Sequence, residues 1–448
     1  MRLLKLTQLK NKNFLALAGN GTISAISVLT ISVLYRAMPQ SSVGVWFFFL
    51  SVYGLADALR NGLLSTATIK FYAGTEGARA ANTLGSVWFL AIALSGAMML
   101  VNLGVMPFMG YIKDQQIVLV VKWFGVTVLS SLTYNVVCWK LVADEDYITI
   151  LQIRMINSIS MILLILAMAY FKQATLENLL WINFLTNCLT SLFCFIWGHS
   201  QIRSIFQRTA GQVREIIAFG KYSLATTISS NLLGSINTFI ITFFLGPGVL
   251  AVYNLPFKLM EFIEIPLRSF VGTGMSSMAI AHNTNNMSYL AYVSKKYAGM
   301  LTLIFIPLAI IAFFGADIAV LLLGGKKYVG TEAANIFRLF MFFAILYPID
   351  RFNGATLDII HLPKINFYKV LIMLAVTAVA TTIGISIFKN IYGVALAVPF
   401  PLIAGLAFGY YHLRKHIDYS IKGILTTGYR ELTLLIEKFV VKKKQPVS

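Results

Sequence analysis

Charged residues are scarce in this sequence, and acidic residues are scarcer than basic ones. Asp, Glu, Lys and Arg make up 12% of the 448 residues, against roughly 25% in soluble domains. Lys and Arg number 36, whereas Asp and Glu number 17. The low charge excludes a soluble globular enzyme. The basic excess in so apolar a chain is typical of the loops on one side of a membrane rather than of nucleic-acid binding.

Motifs for metal, disulfide and nucleotide chemistry are also missing. Cys138, Cys188 and Cys194 are the only cysteines, each lies in an apolar run, and none forms a C-x-x-C pair. No G-x-x-x-x-G-K-[ST] loop occurs, since the nearest string, at 219–223, lacks the upstream glycine. The five histidines are dispersed. We therefore expect no metal site, no cofactor and no ATP hydrolysis through a phosphate-binding loop.

Long apolar runs fill the rest of the chain, of which 58% is hydrophobic. A membrane-spanning helix needs roughly 20 such residues. The runs predict an all-α polytopic membrane protein with twelve spans, in two sets of six. The first set lies at 14–35, 43–68, 84–106, 117–141, 148–170 and 179–197, and the second at 222–245, 249–281, 297–323, 333–349, 367–388 and 392–411.

Basic residues between the spans predict the orientation. With both termini inside, the inner segments hold 24 Lys and Arg and the outer segments hold 8. This asymmetry follows the positive-inside rule, so both termini and the link between the halves are expected to be cytoplasmic. The predicted divisions are an N-terminal lobe at 1–200, a link at 201–218, a C-terminal lobe at 219–413 and a basic amphipathic tail at 414–448. The tail is expected either to lie along the inner leaflet or to be simply solvated.

The two halves begin alike. The string VGVW at 43–46 follows a Met-Pro turn, and LAVY at 250–253 follows a Gly-Pro turn, an offset of 207 residues. The same offset places Asp57 opposite Glu264. Because each half has an even number of spans, the halves are expected to be a parallel repeat, related by an axis along the membrane normal, with a cavity between them.

Charges inside spans are costly, so they are candidates for function. Asp57 and Arg60 are three residues apart in the second span and form either a cavity pair or a self-satisfied pair. The eighth span places four charges within an arc of about 120°, and three prolines accompany the charged spans as possible hinges. The four charges are Lys258, Glu261, Glu264 and Arg268, and the prolines are Pro256, Pro266 and Pro348. Asp350 and Arg351 follow Pro348 and lie either at the rim of the cavity or at the membrane interface as ordinary charged residues.

The opening spans resemble those of the polysaccharide-repeat flippases, the Wzx-type branch of the multidrug/oligosaccharidyl-lipid/polysaccharide exporter superfamily. The motif of that branch is a Gly-Pro turn followed by a small residue, any residue and an aromatic residue. The matching positions are Pro39, Gly44 and Trp46 in the first half and Gly246, Pro247, Ala251 and Tyr253 in the second. Met38 replaces the glycine of the first turn.

This resemblance implies a flippase rather than an enzyme. Such a flippase moves a lipid-diphosphate-linked oligosaccharide from the inner to the outer leaflet of a bacterial cytoplasmic membrane, for O-antigen, capsule or exopolysaccharide synthesis. Its partners would be the lipid-linked oligosaccharide, the bilayer, and polysaccharide polymerase and chain-length proteins, with no nucleic acid. Alternatives within the superfamily are a lipid II flippase and a cation-coupled multidrug extruder, although the first span has no acid for cation coupling. A membrane-embedded glycosyl or acyl transferase is the alternative from another class.

A diphosphate cannot cross hydrocarbon uncompensated, which suggests roles for the intramembrane charges. Arg60, Lys258 and Arg268 are predicted to bind the diphosphate. Asp57, Glu261 and Glu264 are predicted to hold these cations when the site is empty, or to carry a coupled proton. The alternative is a purely structural ion network.

Overall fold

The computed structural model describes residues 12–112 and 114–442, which form helices and no strands. The all-α prediction is confirmed for this part of the chain. The basic start at 1–11, Lys113 and the end of the tail at 443–448 lie outside the described residues. The helices of the first part are α1 (Lys12–Ala37), α2 (Gln40–Tyr72), α3 (Gly77–Val105), α4 (Gln115–Ser130), α5 (Leu132–Ala143), α6 (Tyr147–Tyr170) and α7 (Leu176–Ile196).

The second part continues through longer and more often broken helices. These are α8 (Ala210–Leu245), α9 (Pro247–Asn283), α10 (Met287–Phe314), α11 (Ala316–Gly324), α12 (Ala333–Ala344), α13 (Tyr347–Ile359), α14 (Pro363–Phe388), α15 (Ile391–Ala397), α16 (Pro399–Leu413) and α17 (Ile421–Lys442). Short 3-10 helices occur at Met106–Tyr111, Ile202–Gln207 and Lys326–Tyr328.

Eight of these helices are long and apolar enough to cross a membrane, or ten if each of two bent pairs is one span. The other two predicted spans coincide with α1, whose apolar part is the shorter stretch Gly21–Ala37, and with α9. Helix α9 carries Lys258, Glu261, Glu264 and Arg268, which reduce its apolar character. The predicted ninth span is divided at Gly315 into α10 and α11.

Many large apolar side chains on these helices are exposed, as expected where lipid rather than water surrounds a protein. Examples are Leu100, Phe243, Ile311, Phe314 and Ile387, each more than 60% exposed. In a soluble protein such a surface would be an aggregation liability. Together with the long apolar helices, it supports a multi-pass membrane protein.

The chain divides into two compact units, and the boundary between them lies within α8. Unit 1 extends to Leu232 and unit 2 starts at Leu233. The segment predicted as a separate link, 201–218, therefore groups with unit 1. The core of unit 1 includes Leu64, Trp88 and Trp139. In unit 2, Tyr253 and Phe340 pack edge to face with centroids 5.7 Å apart.

The fourth span of each unit is broken. Helices α4 and α5 meet at Ser131 with a bend of 42°, and α12 and α13 meet at Ile345 and Leu346 with a bend of 50°. Pro348 lies in the first turn of α13, where proline fits because the first helical amides lack intrahelical acceptors. By contrast, α9 runs unbroken through the positions of Pro256 and Pro266. Of the predicted hinges, only Pro348 lies beside a break.

The two repeated turns begin equivalent helices. Pro39 directly precedes the first residue of α2, and Pro247 is the first residue of α9. Gly246 has a φ of 87°, a conformation that side-chain-bearing residues rarely adopt, so glycine is required there. Trp46 is buried and stacks on Phe49 with ring centroids 5.5 Å apart.

The predicted tail contains a helix, α17, that docks against α10. A Cβ added to Gly428 would lie 2.3 Å from the carbonyl carbon of Gly299, so the two backbones are in direct contact. Ion pairs flank this contact, because Lys296 Nζ lies 2.8 Å from Glu431 Oε2 and Lys295 Nζ lies 2.9 Å from Asp418 Oδ2. The hydrogen bond from Lys296 lowers the pKa of Glu431. The described part of the tail is thus a packed element of unit 2.

Candidate functional site

Asp57 is the centre of a polar network in unit 1. Its Oδ1 accepts hydrogen bonds from Arg60 Nη2 at 2.7 Å and Asn135 Nδ2 at 3.0 Å, and its Oδ2 accepts one from Asn61 Nδ2 at 2.6 Å. Asn61 Oδ1 accepts in turn from Trp139 Nε1 at 2.6 Å. We call these five residues the Asp57 network. It joins α2 to α5.

Arg60 is the deepest member of this network, with no exposed surface. Its Nη1 donates to the carbonyl oxygen of Val128 at 2.8 Å, and its Nη2 donates to Ser131 Oγ at 2.9 Å. Both acceptors lie at the break between α4 and α5, where carbonyls freed by the bend need donors. Arg60 was predicted to bind a diphosphate. The structure instead gives both terminal nitrogens of its guanidinium internal acceptors, which favours the structural alternative for this residue.

The four predicted charges of α9 form two pairs. Lys258 Nζ lies 2.7 Å from Glu261 Oε1, and Arg268 Nη2 lies 3.2 Å from Glu264 Oε2. Each pair spans one helical turn, as the spacing predicted. The exposures differ, because the Lys258 side chain is 23% exposed and that of Arg268 is 68% exposed. The second pair therefore leaves its cation open to an incoming anion.

A second arginine, from α13, approaches the same carboxylate. Arg351 Nη2 lies 3.4 Å from Glu264 Oε2, and its side chain is 54% exposed. Glu264 itself is only 16% exposed. We call Glu264, Arg268 and Arg351 the Glu264 cluster. It places two exposed guanidinium groups around one half-buried carboxylate, which leaves a net positive charge and free donor N–H groups for a polyanion.

A buried lysine forms an ion pair beside the broken span of unit 2, formed by α12 and α13. Lys369, on α14, is 3% exposed, and its Nζ lies 2.6 Å from Asp350 Oδ1 and donates to the Asp350 carbonyl oxygen at 3.0 Å. Asp350 lies in the first turn of α13, just after the break. Lys369 is one of the 24 basic residues that the sequence assigns to the inner segments. Its burial shows that it is instead an internal partner of the carboxylate.

Several of these residues were not identified from the sequence. For Arg351 the sequence supports two alternatives, the rim of the cavity or the membrane interface. Its position after Pro348 within an apolar run is the signal for the first of them. The internal role of Lys369 could not be recognised from the sequence, because a single lysine near the end of a span is typical of residues that flank the membrane. Ser131 and Asn135 were visible only as polar residues within the fourth predicted span.

Metal binding has no support in the described parts of the chain. No group of three or more His, Cys, Asp or Glu side chains there could hold a metal ion. The three cysteines are free thiols, and Cys194 is buried.

Solved structures share this fold at low sequence identity. A multidrug resistance MATE family transporter of the MOP superfamily, in an inward-facing conformation, matches with a TM-score of 0.68 and 15% identity, over 94% of this chain and 96% of that chain. The lipid II flippase MurJ, in an inward closed conformation, matches with a TM-score of 0.74 and 14% identity, over 97% and 94%.

A third structure is a MOP superfamily transporter from Pyrococcus furiosus, described by a reverse polarity of its binding pocket. It matches with a TM-score of 0.60 and 17% identity, over 97% of this chain and 100% of that chain. These matches establish the fold. They agree with the two-lobe exporter architecture predicted from the spans and the repeat.

The sequence itself carries the family assignment. No curated protein matches it significantly. A family model described as polysaccharide biosynthesis protein matches residues 33–332, about two thirds of the chain. This range runs from the end of α1 through α11, and so includes the Asp57 network and the charged face of α9. The chain therefore belongs to the polysaccharide biosynthesis protein family and has the fold of the MOP superfamily.

Proposed function

We propose that this protein is a flippase that moves a lipid-diphosphate-linked oligosaccharide from the inner to the outer leaflet of a bacterial cytoplasmic membrane. The product would feed O-antigen, capsule or exopolysaccharide synthesis, with the polymerase and chain-length proteins as downstream partners. Family membership supports the link to polysaccharides. Solved relatives with this fold are transporters and a flippase rather than enzymes.

The observation that carries the proposal is the Glu264 cluster. A diphosphate needs several charge-assisted hydrogen bonds to leave water. Arg268 and Arg351 offer two guanidinium groups, both more than half exposed, that converge on a single oxygen atom of Glu264. Their distances to that oxygen, 3.2 and 3.4 Å, are long for charged pairs. An incoming diphosphate can therefore replace the carboxylate as the partner of both arginines.

Glu264 would then serve as a counter-ion that keeps the substrate releasable. When the diphosphate leaves, the carboxylate is within reach of both guanidinium groups and compensates their charge. Lys258, paired with Glu261 at 2.7 Å, is a further cation on α9, the helix that also carries Arg268. In this proposal Arg60 stabilises the fold and does not bind the substrate, since it has no exposed surface.

Transport is proposed to proceed by alternating access without ATP hydrolysis, with bending at the two broken spans. The bends of 42° and 50° replace Pro256 and Pro266 as the candidate hinges, and Pro348 is kept. The driving force is either removal of the product or a proton carried by Asp57, Glu261 or Glu264. Flux in proteoliposomes under an imposed pH gradient separates these. Flux that is indifferent both to the gradient and to Glu264→Gln excludes coupling through that carboxylate.

The function itself is tested with proteoliposomes that contain a lipid-linked oligosaccharide. A sugar-modifying enzyme added outside reports the fraction of substrate in the outer leaflet. The wild-type protein should expose inner-leaflet substrate within minutes, whereas Arg268→Ala/Arg351→Ala should not. Arg203→Ala removes an exposed charge outside the Glu264 cluster and should leave the rate unchanged. Equal rates with protein-free vesicles would contradict the proposal.

A second candidate, flipping of lipid II, is favoured by the match to the lipid II flippase, which extends over 97% of this chain at a TM-score of 0.74. The same assay distinguishes the two. Lipid II and a lipid-linked polysaccharide repeat are offered in separate vesicles. Preference for lipid II would move the assignment to this second candidate.

A further inference from the structure

A cavity of about 490 Å³ lies in unit 1, and none of its lining residues belongs to the Asp57 network or to the Glu264 cluster. It is bounded by α3, by the short helix Ile202–Gln207 and by the start of α8. Its size is within the range of small-ligand pockets. The residues that matter for its chemistry are Phe89, Phe206, Arg208, Thr209, Val213 and Arg214.

The cavity contains two arginines with donor groups to spare. The Arg208 guanidinium carbon lies 5.0 Å from the ring centroid of Phe89, and Arg208 Nη1 donates to the Ile205 carbonyl at 3.3 Å. Within residues 12–112 and 114–442, neither Arg208 nor Arg214 forms an ion pair. Two uncompensated guanidinium groups in one cavity favour an anion, and phosphate is the anion whose geometry they match.

The segment that carries Arg208 is held firmly against α3. Trp88 Nε1 donates to the Ser200 carbonyl at 2.9 Å, and both residues are buried. A Cβ on Gly85 would lie 2.0 Å from the Ser204 carbonyl oxygen, so the two backbones are in contact there. The Thr209 amide donates to Ser86 Oγ at 3.4 Å. The cavity is therefore preformed, and a ligand would not have to order its walls.

Apolar side chains form the rest of the cavity, and they extend to the surface of the protein. Phe206 is 84% exposed and Phe89 is 37% exposed. A free phosphate ion would gain no binding free energy from contact with these apolar side chains. A phospholipid would gain from both parts, because its acyl chains are apolar and its phosphodiester is anionic.

We propose that this cavity binds an anionic phospholipid, with its phosphodiester at Arg208 and Arg214 and the upper parts of its acyl chains along Phe89, Phe206 and Val213. The predicted topology places this segment at the inner leaflet, where anionic lipids attract basic residues. The positive end of α8, which begins at Ala210, adds to the attraction. The bound lipid would fix α3, at Phe89, to the start of α8.

The test measures lipid retention by native mass spectrometry and the midpoint of thermal unfolding, with full-length protein in detergent. Three additives are compared: phosphatidylglycerol, phosphatidylcholine and inorganic phosphate. We expect phosphatidylglycerol to be retained and to raise the midpoint, and the other two to have no effect. Arg208→Gln/Arg214→Gln should weaken phosphatidylglycerol binding about tenfold or more, because the phosphodiester loses both of its charged donors.

Matched controls keep the outcome decisive. Arg203→Gln removes an arginine from the short helix that precedes Arg208, and Arg203 does not line the cavity, so this variant should bind phosphatidylglycerol like the wild type. If the double variant is poorly folded, Arg214→Gln alone serves, because this exposed side chain forms no ion pair with a described residue.

Three results would overturn the proposal. The first is equal retention of phosphatidylglycerol by the wild type and the cavity variants. The second is equal protection by inorganic phosphate, which would make the cavity a simple anion site. The third is displacement of phosphatidylglycerol by a polyprenyl diphosphate at lower concentration, which would assign the cavity to the transported substrate.

Discussion

Arg60 donates a hydrogen bond of 2.8 Å to the carbonyl oxygen of Val128, at the break between α4 and α5. In unit 2, Lys369 donates one of 3.0 Å to the carbonyl oxygen of Asp350, just after the break between α12 and α13. Both cations are buried and come from a neighbouring helix. Each unit thus places a buried cation beside its broken span, where the cation donates to a backbone carbonyl oxygen. The same cation also compensates a nearby carboxylate.

Arg60→Ala is expected to destabilise the protein by about 3 to 5 kcal/mol, because it removes the cation that pairs with the Asp57 carboxylate and one of the donors to the Val128 carbonyl. Thermal unfolding in detergent measures this as a lower midpoint and a lower membrane yield. Arg60→Lys should recover only part of the loss, since lysine cannot reproduce the fork that reaches two sides of the break. A full midpoint for Arg60→Ala would contradict the structural role.

The sequence was sufficient to predict the helical class and most of the spans. Apolar runs and helical spacing are local properties, so the four charges on one face of α9 followed from counting. The burial of Arg60 did not follow, because its acceptors Val128 and Ser131 lie 68 and 71 positions away along the chain. Arg351 and Glu264 are 87 positions apart, and only the packing of α13 against α9 brings them together.

Docking of α17 should be sensitive to any side chain at Gly428. Gly428→Ala places a Cβ 2.3 Å from the backbone of Gly299, so α17 must shift or detach. We expect a loss of about 1 to 3 kcal/mol, typical of overpacking, with faster hydrogen exchange in α17. Gly96→Ala is the control, because a Cβ there meets nothing within 4 Å. It should be neutral or slightly stabilising.

The same docking should weaken in acid. The hydrogen bond from Lys296 lowers the pKa of Glu431. A carboxylate of this kind contributes stability that is complete above its unfolded pKa, about 4.3, and is lost as the pH falls through its lower folded pKa. Hydrogen exchange of α17 at pH 7 and at about pH 3.5 measures this loss. Glu431→Gln should lose the pH-dependent part, and an unchanged pH profile in that variant would exclude Glu431 as its source.

The predicted orientation is tested by labelling single cysteines in a background without Cys138, Cys188 and Cys194. Gln212→Cys, in the first turn of α8, should resist a membrane-impermeant thiol reagent added outside. Lys326→Cys, in a predicted outer loop, should react quickly. The reverse pattern would invert the orientation derived from the charge asymmetry.

The central claim is that Arg268 and Arg351 together bind the diphosphate of the substrate. The most direct measurement is the flipping rate of a lipid-linked oligosaccharide in proteoliposomes, compared with the thermal unfolding midpoint of the same preparations. Arg268→Ala/Arg351→Ala should abolish flipping in protein that is still folded, with a midpoint lowered only by the loss of the two partners of Glu264, and Arg268→Lys should retain partial flipping. Normal flipping by the double alanine variant at an unchanged midpoint would contradict the account.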